Sequence, residues 1–322
     1  MVEEGFEVHA LHIYTGFSGP VRRDIQRGRI GGWTPPQAIV DGIAAIGARL
    51  VGLDRSDEFL DTLLNPRYGY GSAANPCIDC HRFMLEQARD YCREVGGGFV
   101  FTGEVLGQRP MSQNRNSLDA VAKRSGLTGH LVRPLSAKLM PPSIPEQEGI
   151  LIRDHLYDIE GRSRQRQIAL AEHYGIDWYP NSGPGCVLTE KGFGRKFFDL
   201  LEHTEKGRTT KRELMSLKSG RHFRLPTGLK VLCGRTEEEN IYLENVLGGT
   251  CWQFDTVDVP GTTAFACGEP DNSDFAFVAS LCARYSKGRD KETVRIVATR
   301  KGERREIDIA PAPHSMIEPF LI

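Results

Sequence analysis

The chain of 322 residues has no apolar run long enough to cross a bilayer. Its opening, Met1-Val-Glu-Glu-Gly5-Phe-Glu7, lacks the basic-then-apolar order of a secretion signal. A helical membrane span is therefore not expected, and the chain reads as cytoplasmic, with no membrane partner. Charge of one sign is also missing: 41 Lys and Arg stand against 42 Asp and Glu, a net charge of −1. That excludes a uniformly basic nucleic-acid clamp and leaves only local patches. The sequence has no internal repeat and no low-complexity tract. Its 8 cysteines are too sparse for a disulfide scaffold. A second Cys-x-x-Cys is absent, which argues against a four-cysteine zinc ribbon.

The length is enough for two or three domains. In the first two-thirds, apolar strands alternate with helical spacing, the texture of an α/β domain with a mostly parallel sheet. Met1 to Glu7 reads as the end of a helix closed by Gly5, and Val8 to Tyr14 as a buried strand. Helices are expected from Pro35 to Leu50, Asp57 to Leu64, Cys80 to Val95, Gly161 to Tyr174 and Phe193 to His203. Short strands are expected at Leu50 to Leu53, Phe99 to Thr102 and Leu131 to Leu135. After Gly220 the texture changes: Phe223 to Arg235, Val257 to Ala266 and Val294 to Ile309 alternate apolar and polar residues, with a helix from Asp274 to Tyr285. A boundary near Lys206 to Leu217 gives domains of 1–205 and 218–322.

The chemistry concentrates at Asn75-Pro-Cys77-Ile-Asp-Cys80-His81. Two thiols, two residues apart, enter a helix whose free N–H groups and dipole favour thiolates. The pair suits half a zinc site, a redox couple or a cluster. Cys186, in the Gly-rich run Asn181-Ser-Gly-Pro-Gly-Cys186, is the natural third ligand, since glycines let the backbone approach a bulky inorganic group. Three cysteines would leave one iron of a [4Fe-4S] cluster open to sulfide or substrate. The rival puts a persulfide on Cys77 or Cys80, with Cys186 resolving it as a disulfide. Cys92, Cys233, Cys251, Cys267 and Cys282 lie on a helix or among apolar residues and read as small buried hydrophobes. Thr102-Gly-Glu-Val-Leu-Gly-Gln108 follows a strand, where open α/β sheets bind ligands. Arg109, Arg115, Lys123, Arg124, Arg133 and Lys138 form one basic run, and Arg162, Arg164 and Arg166 a second. Either could meet RNA phosphates, although charge runs are more often solvated faces.

Thr102-Gly-Glu-Val-Leu-Gly-Gln108, Ser112-Gln113 and Arg133-Pro-Leu135 resemble the PP-loop core of the tRNA 4-thiouridine synthetase family. Asn75-Pro-Cys77 and Cys186 resemble the paired cysteines of the tRNA 2-thiouridylase family. The resemblance covers roughly the first two-thirds of the chain. It implies an adenine nucleotide alpha hydrolase-like α/β core that uses ATP with Mg to adenylate a tRNA uridine oxygen, after which sulfur displaces AMP. Cys77, Cys80 and Cys186 would then be catalytic and cluster-ligating, and sulfide or a persulfide carrier would donate the sulfur. His12 and Ile13 would contact the adenosine, and Arg82, Gly103 and Gln113 would complete the nucleotide site. The stretch Phe223 to Arg235, with Glu239-Asn240, Val259-Pro-Gly261 and Tyr285-Ser-Lys287, resembles the RNA-binding domain of the NFACT ribosome-quality-control family. That implies a C-terminal α+β module for RNA, with tRNA as the expected partner.

One departure bears on activity. PP-loop families carry a Ser-Gly-Gly-x-Asp-Ser loop that cradles pyrophosphate, and it is absent here. The core is thus expected to be N-terminally incomplete, its first strand and phosphate loop lying upstream of Met1. Three functions stay open: a tRNA sulfurtransferase, a non-catalytic RNA or tRNA binder with a degenerate core, and a sulfur-removing or redox enzyme that works without ATP.

Overall fold

A computed structural model describes residues 1–17, 35, 37–176 and 185–322. These residues divide into two compact units, one holding 1–15, 35 and 37–176, the other 16–17 and 185–322. Helices and strands occur in both, and the second unit is built on an antiparallel sheet.

The main elements of the first unit are β1 (His9–Tyr14), α1 (Gln37–Ala45), β2 (Arg49–Asp54), α2 (Phe59–Leu64), α3 (Cys77–Glu94), β3 (Val100–Phe101), α4 (Arg115–Arg124), β4 (Leu131–Val132) and α5 (Gln165–His173). β1 pairs with β2 in parallel, Tyr14 opposite Asp54, and β3 pairs with β4 in parallel. The expected parallel pairing is present. Among the described residues, however, it takes the form of two separate two-stranded ladders rather than one sheet. Met1 to Glu7 forms a turn and not a helix end: the Gly5 N–H donates to the Val2 carbonyl, and Gly5 sits at φ +82.

Helix α3 is the spine of this unit. It turns Leu85 and Ala88 inward against Val100, Val121 and Leu131, and Phe83 against Phe59. The helix stops at glycine, as expected: Gly96 takes φ +70, and the N–H groups of Gly96 and Gly97 return to the carbonyls of Arg93 and Cys92. Several members of the basic run around α4 make contacts within the fold, although Arg109, Lys123, Arg124 and Lys138 are exposed. Arg115 donates to the Leu139 carbonyl, Arg124 to the Tyr68 hydroxyl, Arg133 to the Leu118 carbonyl and Lys138 to the Asp154 carbonyl.

The second unit contains α6 (Lys191–Glu202), α7 (Lys211–Ser216), β5 (Arg221–Arg224), β6 (Lys230–Cys233), α8 (Glu237–Leu247), β7 (Trp252–Thr256), β8 (Ala264–Cys267), α9 (Asn272–Arg284), β9 (Val294–Arg300) and β10 (Glu303–Ile309). Its strands form a six-stranded antiparallel sheet in the order β10-β9-β7-β8-β6-β5. The period of two sorts the side chains. Val231, Cys233, Ala264 and Ala266 join Val278, Ala279, Leu281, Cys282 and Ala283 of α9 in the main core. Leu232 and Phe265, directly opposed across β6 and β8, are buried on the other face. One edge strand, β10, runs Glu303-Arg304-Arg305-Glu306 in the open, a charge pattern that discourages pairing with another chain. The β5 edge is covered by the end of the chain, where Leu321 bridges Phe223 and the Ile322 N–H donates to the His222 carbonyl.

The cysteines of this unit correct the sequence expectation in one respect. Cys233 and Cys282 are buried free thiols, pushed up by desolvation, as small hydrophobes are. Cys251 and Cys267 are instead joined in a disulfide with their Cα atoms 4.5 Å apart. The pairing of Trp252 with Ala266 fixes the reason, because it sets the two cysteines directly opposite each other on adjacent strands. Strand register decides this, and composition does not show it.

Asp199 ties α6 to the sheet. Its carboxylate accepts from Arg224 on β5 at 3.1 and 2.8 Å and from Lys230 on β6 at 2.5 Å. Burial alone would push Asp199 up, but hydrogen bonds from Arg224 and Lys230 outweigh it and hold the group below the usual aspartate range. Gly220, before β5, is fixed by backbone geometry. It has φ +79, and a Cβ there would stand 2.7 Å from the Cys233 carbonyl oxygen. Gly220→Ala is expected to destabilise this unit by about 2 kcal/mol, read as a lower urea midpoint against wild type. An unchanged midpoint would show that the turn relaxes without cost.

Candidate functional site

Two places carry chemistry, one in each unit. In the first unit, Cys77 begins α3 and Cys80 follows in the same turn, both half-buried. Asn75 shapes the approach. Its side-chain amide donates to Cys77 Sγ at 3.1 Å while its Oδ1 accepts the Ala73 N–H at 3.2 Å. Asp79, buried on the same turn, accepts the Tyr68 N–H at 2.9 Å, which docks the preceding loop on the helix.

Next to this turn lies a buried ionic network. Glu104 Oε1 is 2.7 Å from His81 Nδ1, and Glu104 Oε2 accepts from Arg133 Nε at 2.9 Å and from the Thr102 hydroxyl at 3.1 Å. Burial would raise the Glu104 carboxyl. The hydrogen bond from His81 and the charge of Arg133 reverse that and hold it at about 2. Sequence reasoning singled out Thr102-Gly-Glu104 for its glycine, whereas its carboxylate is the member that organises the site. The available signal was an acid at a strand end facing an arginine at the end of the next strand.

The expected nucleotide contacts all lie in the first unit. His12 and Ile13 are on β1, where burial lowers His12. Gly103 sits in the loop after β3 with no neighbour within 4 Å of where a Cβ would stand, so it leaves open space. Gln113 is buried and its Oε1 has no hydrogen-bond partner. Arg82 fits less well, since it donates to both oxygens of Glu86 at 2.7 Å and lies 3.8 Å from Asp79. If ATP is held here, Gly103 and Gln113 are the residues placed to hold it.

The expected cluster ligands belong to different units. Cys77 and Cys80 are in the first, while Cys186, half-buried at the start of the short turn Val187–Thr189, is in the second. Among the described residues, no group of three or more His, Cys, Asp or Glu side chains is arranged to hold a metal ion.

The second place is a cavity of about 630 Å³ in the second unit, whose lining includes Arg221, Arg235, Arg284, Arg289, Asn240 and Tyr285. Three loops meet there: those after β6, between β7 and β8, and after α9. Small residues allow the approach. At Gly261 a Cβ would lie 2.7 Å from Ser286 Cβ, and at Gly234 it would lie 3.0 Å from the Asn240 backbone nitrogen. Asn240 Oδ1 accepts the Thr263 N–H at 3.2 Å, the Thr262 hydroxyl donates to the Gly234 carbonyl at 2.6 Å, and the Lys287 N–H donates to the Pro260 carbonyl at 2.9 Å. Arg221 packs over Tyr285, its guanidinium carbon 4.4 Å from the ring centroid. Arg235 is held by Glu239 at 2.7 Å. Sequence reading had quoted Gly234-Arg235, Asn240, Gly261 and Tyr285 but did not gather them with Arg284 and Arg289, because only the antiparallel fold brings them together.

Residues 220–321 match the NFACT protein RNA binding domain. The cavity lies wholly within this match, so the module that carries it is similar to an RNA-binding domain. No curated protein matches the chain. Among solved structures, the C-terminal part of the fibronectin/fibrinogen-binding protein from Streptococcus suis is similar, with 14% identity, coverage of 76% of this chain and 90% of that one, and a TM-score of 0.28. Among the described residues, no helix is long and apolar enough to cross a membrane.

Glu104 sets a pH test. Its folded carboxyl is depressed from an ordinary value of 4.5 to about 2, so its stabilisation is full above 4.5 and is lost as pH falls from there to about 2. Glu104→Gln should cost about 3 kcal/mol at pH 7, by leaving Arg133 buried without its counter-charge, and should flatten the loss of stability across that window. Denaturant melts between pH 7 and 2 read both effects. Parallel pH profiles in wild type and variant would show that another group governs acid unfolding.

Proposed function

We propose that this protein binds tRNA through its C-terminal unit. The observation that carries this reading is the match of residues 220–321 to an RNA-binding domain, in which an arginine-lined cavity provides a local basic patch in a chain of net charge −1. Binding that rests on Arg221, Arg284 and Arg289 should be salt-dependent, with log K falling at a slope of about −2 against log salt. Filter binding of the full chain to tRNA across a salt series tests this. Absence of binding at about 50 mM salt would sink the reading.

A second reading adds chemistry on the bound tRNA. In it, the N-terminal unit is a PP-loop-type core that thiolates a uridine: ATP adenylates the carbonyl oxygen with loss of pyrophosphate, and the outer sulfur of a persulfide on Cys77 or Cys80, loaded by a persulfide carrier, attacks the activated carbon as AMP leaves. Cys186 would then attack the inner sulfur, releasing the thiouridine and forming a disulfide that a thiol reductant reopens. The observation that favours this reading is the Asn75 amide aimed at Cys77 Sγ, since an N–H donor on sulfur suits a sulfur that carries negative charge. With tRNA, ATP, Mg, a persulfide donor and a thiol reductant, the wild type should form thiouridine, detectable by mercury-affinity electrophoresis, and Cys77→Ala should lose it while still binding tRNA. Thiouridine formed equally by the variant would remove the cysteine from the reaction. Binding without any thiolation by wild type would leave a non-catalytic tRNA binder.

A further inference from the structure

The cavity of the C-terminal unit has features that general attraction to RNA does not require. A sequence-independent electrostatic footprint can be spread over a convex surface. Here the cations converge on a concavity of about 630 Å³, within the size range of small-ligand pockets. The charge inside it is incompletely neutralised. Glu239 engages Arg235, and Arg289 lies 3.6 Å from the exposed Asp290, but Arg221 and Arg284 form no ion pair among the described residues. Glu237, in the first turn of α8, also lines the cavity, so the wall carries four arginines, Arg221, Arg235, Arg284 and Arg289, against this one lining acid.

The cavity also offers a flat, cationic face. Arg221 lies over Tyr285, and guanidinium planes and aromatic rings are the surfaces on which unstacked RNA bases settle. Groups that could read a base edge are mostly engaged. Asn240 braces the wall through Thr263, and the Ser286 hydroxyl is tied to the Ala283 carbonyl and the Gly288 N–H. A site that stacks a base and holds its phosphate, without free edge-reading groups, tolerates sequence. A duplex fits poorly, because its bases are stacked and its phosphates lie on a convex surface. A splayed nucleotide can enter.

We propose that this cavity takes one nucleotide of a single-stranded RNA segment, its phosphate among Arg221, Arg284 and Arg289 and its base against the Arg221–Tyr285 pair. The proposal rests on the RNA-binding reading and specifies which RNA feature the module grips. The walls are set before binding by the close packing at Gly234 and Gly261, so little reorganisation accompanies entry. Free nucleoside monophosphate shares the chemistry, and the experiment separates the two sources.

The full chain is titrated by fluorescence anisotropy with a dye-labelled single-stranded RNA of about eight nucleotides, with the same strand annealed into a duplex, and with AMP as competitor. Arg284→Ala and Arg289→Ala test the phosphate contacts, and Arg304→Ala on the exposed β10 edge is the control. The single strand should bind about tenfold more tightly than the duplex. Arg284→Ala and Arg289→Ala should each weaken it about tenfold and lower the salt slope by about 1, and Arg304→Ala should match wild type. Wild-type affinity in both cavity variants would overturn the proposal while leaving RNA binding in place. Equal affinity for strand and duplex would overturn nucleotide insertion in the same way. Binding of AMP, lost in Arg284→Ala, by a chain that binds neither tRNA nor the single strand would overturn the RNA source and the RNA-binding reading together, and would leave a free-nucleotide site.

Discussion

A carboxylate withdrawn from water persists in a fold only where cations and hydrogen-bond donors reach it, and each unit of this chain is organised around one, buried at Glu104 and half-buried at Asp199. Glu104 draws His81 from the first turns of α3, Arg133 from the end of β4 and Thr102 from its own strand end. The N-terminus of the cysteine-bearing helix is thereby fixed against the strand ends it faces. Asp199 performs the same task in the other unit, drawing together α6, β5 and β6 through Arg224 and Lys230. In both cases the carboxylate gathers elements remote in sequence, and in both the hydrogen bonds it receives more than offset the cost of its burial.

Near-neutrality of the whole chain conceals an uneven use of its arginines. In the first unit Arg115 and Arg133 of the basic run are tied to carbonyls and to Glu104, while Arg109, Lys123, Arg124 and Lys138 stand exposed. In the second unit, arginines from β5, from the turn after β6 and from beyond α9 converge on a concave wall. At the cavity Arg235 meets the carboxylate of Glu239, whereas Arg221 meets a tyrosine ring.

The sequence made the helices legible where their ends carry local chemistry. The stop of α3 at Gly96 and the span of α9 follow from residues that act within one turn. α8 was passed over, although Thr236 caps the Glu239 N–H, because its apolar residues sit amid a stretch that reads as strands. The Cys251–Cys267 bond was hidden because it depends on which strands become neighbours and in what register. The same limit hid the cavity: Arg221 and Arg289 stand far apart in the chain, and no local pattern joins them. His81 turns to a carboxylate whose residue lies 23 positions away, and only the fold reveals it.

The Cys251–Cys267 bond encloses the whole turn between β7 and β8, including Pro260, Gly261 and Thr262 of the cavity wall. In polymer terms that segment is a ring and not a strand-ended loop. Fraying of either strand end cannot lengthen it, and its accessible conformations are those of a closed path of sixteen steps. A wall made from a ring keeps its shape when the neighbouring ladder breathes, so the width of the opening is set by covalent topology as much as by packing.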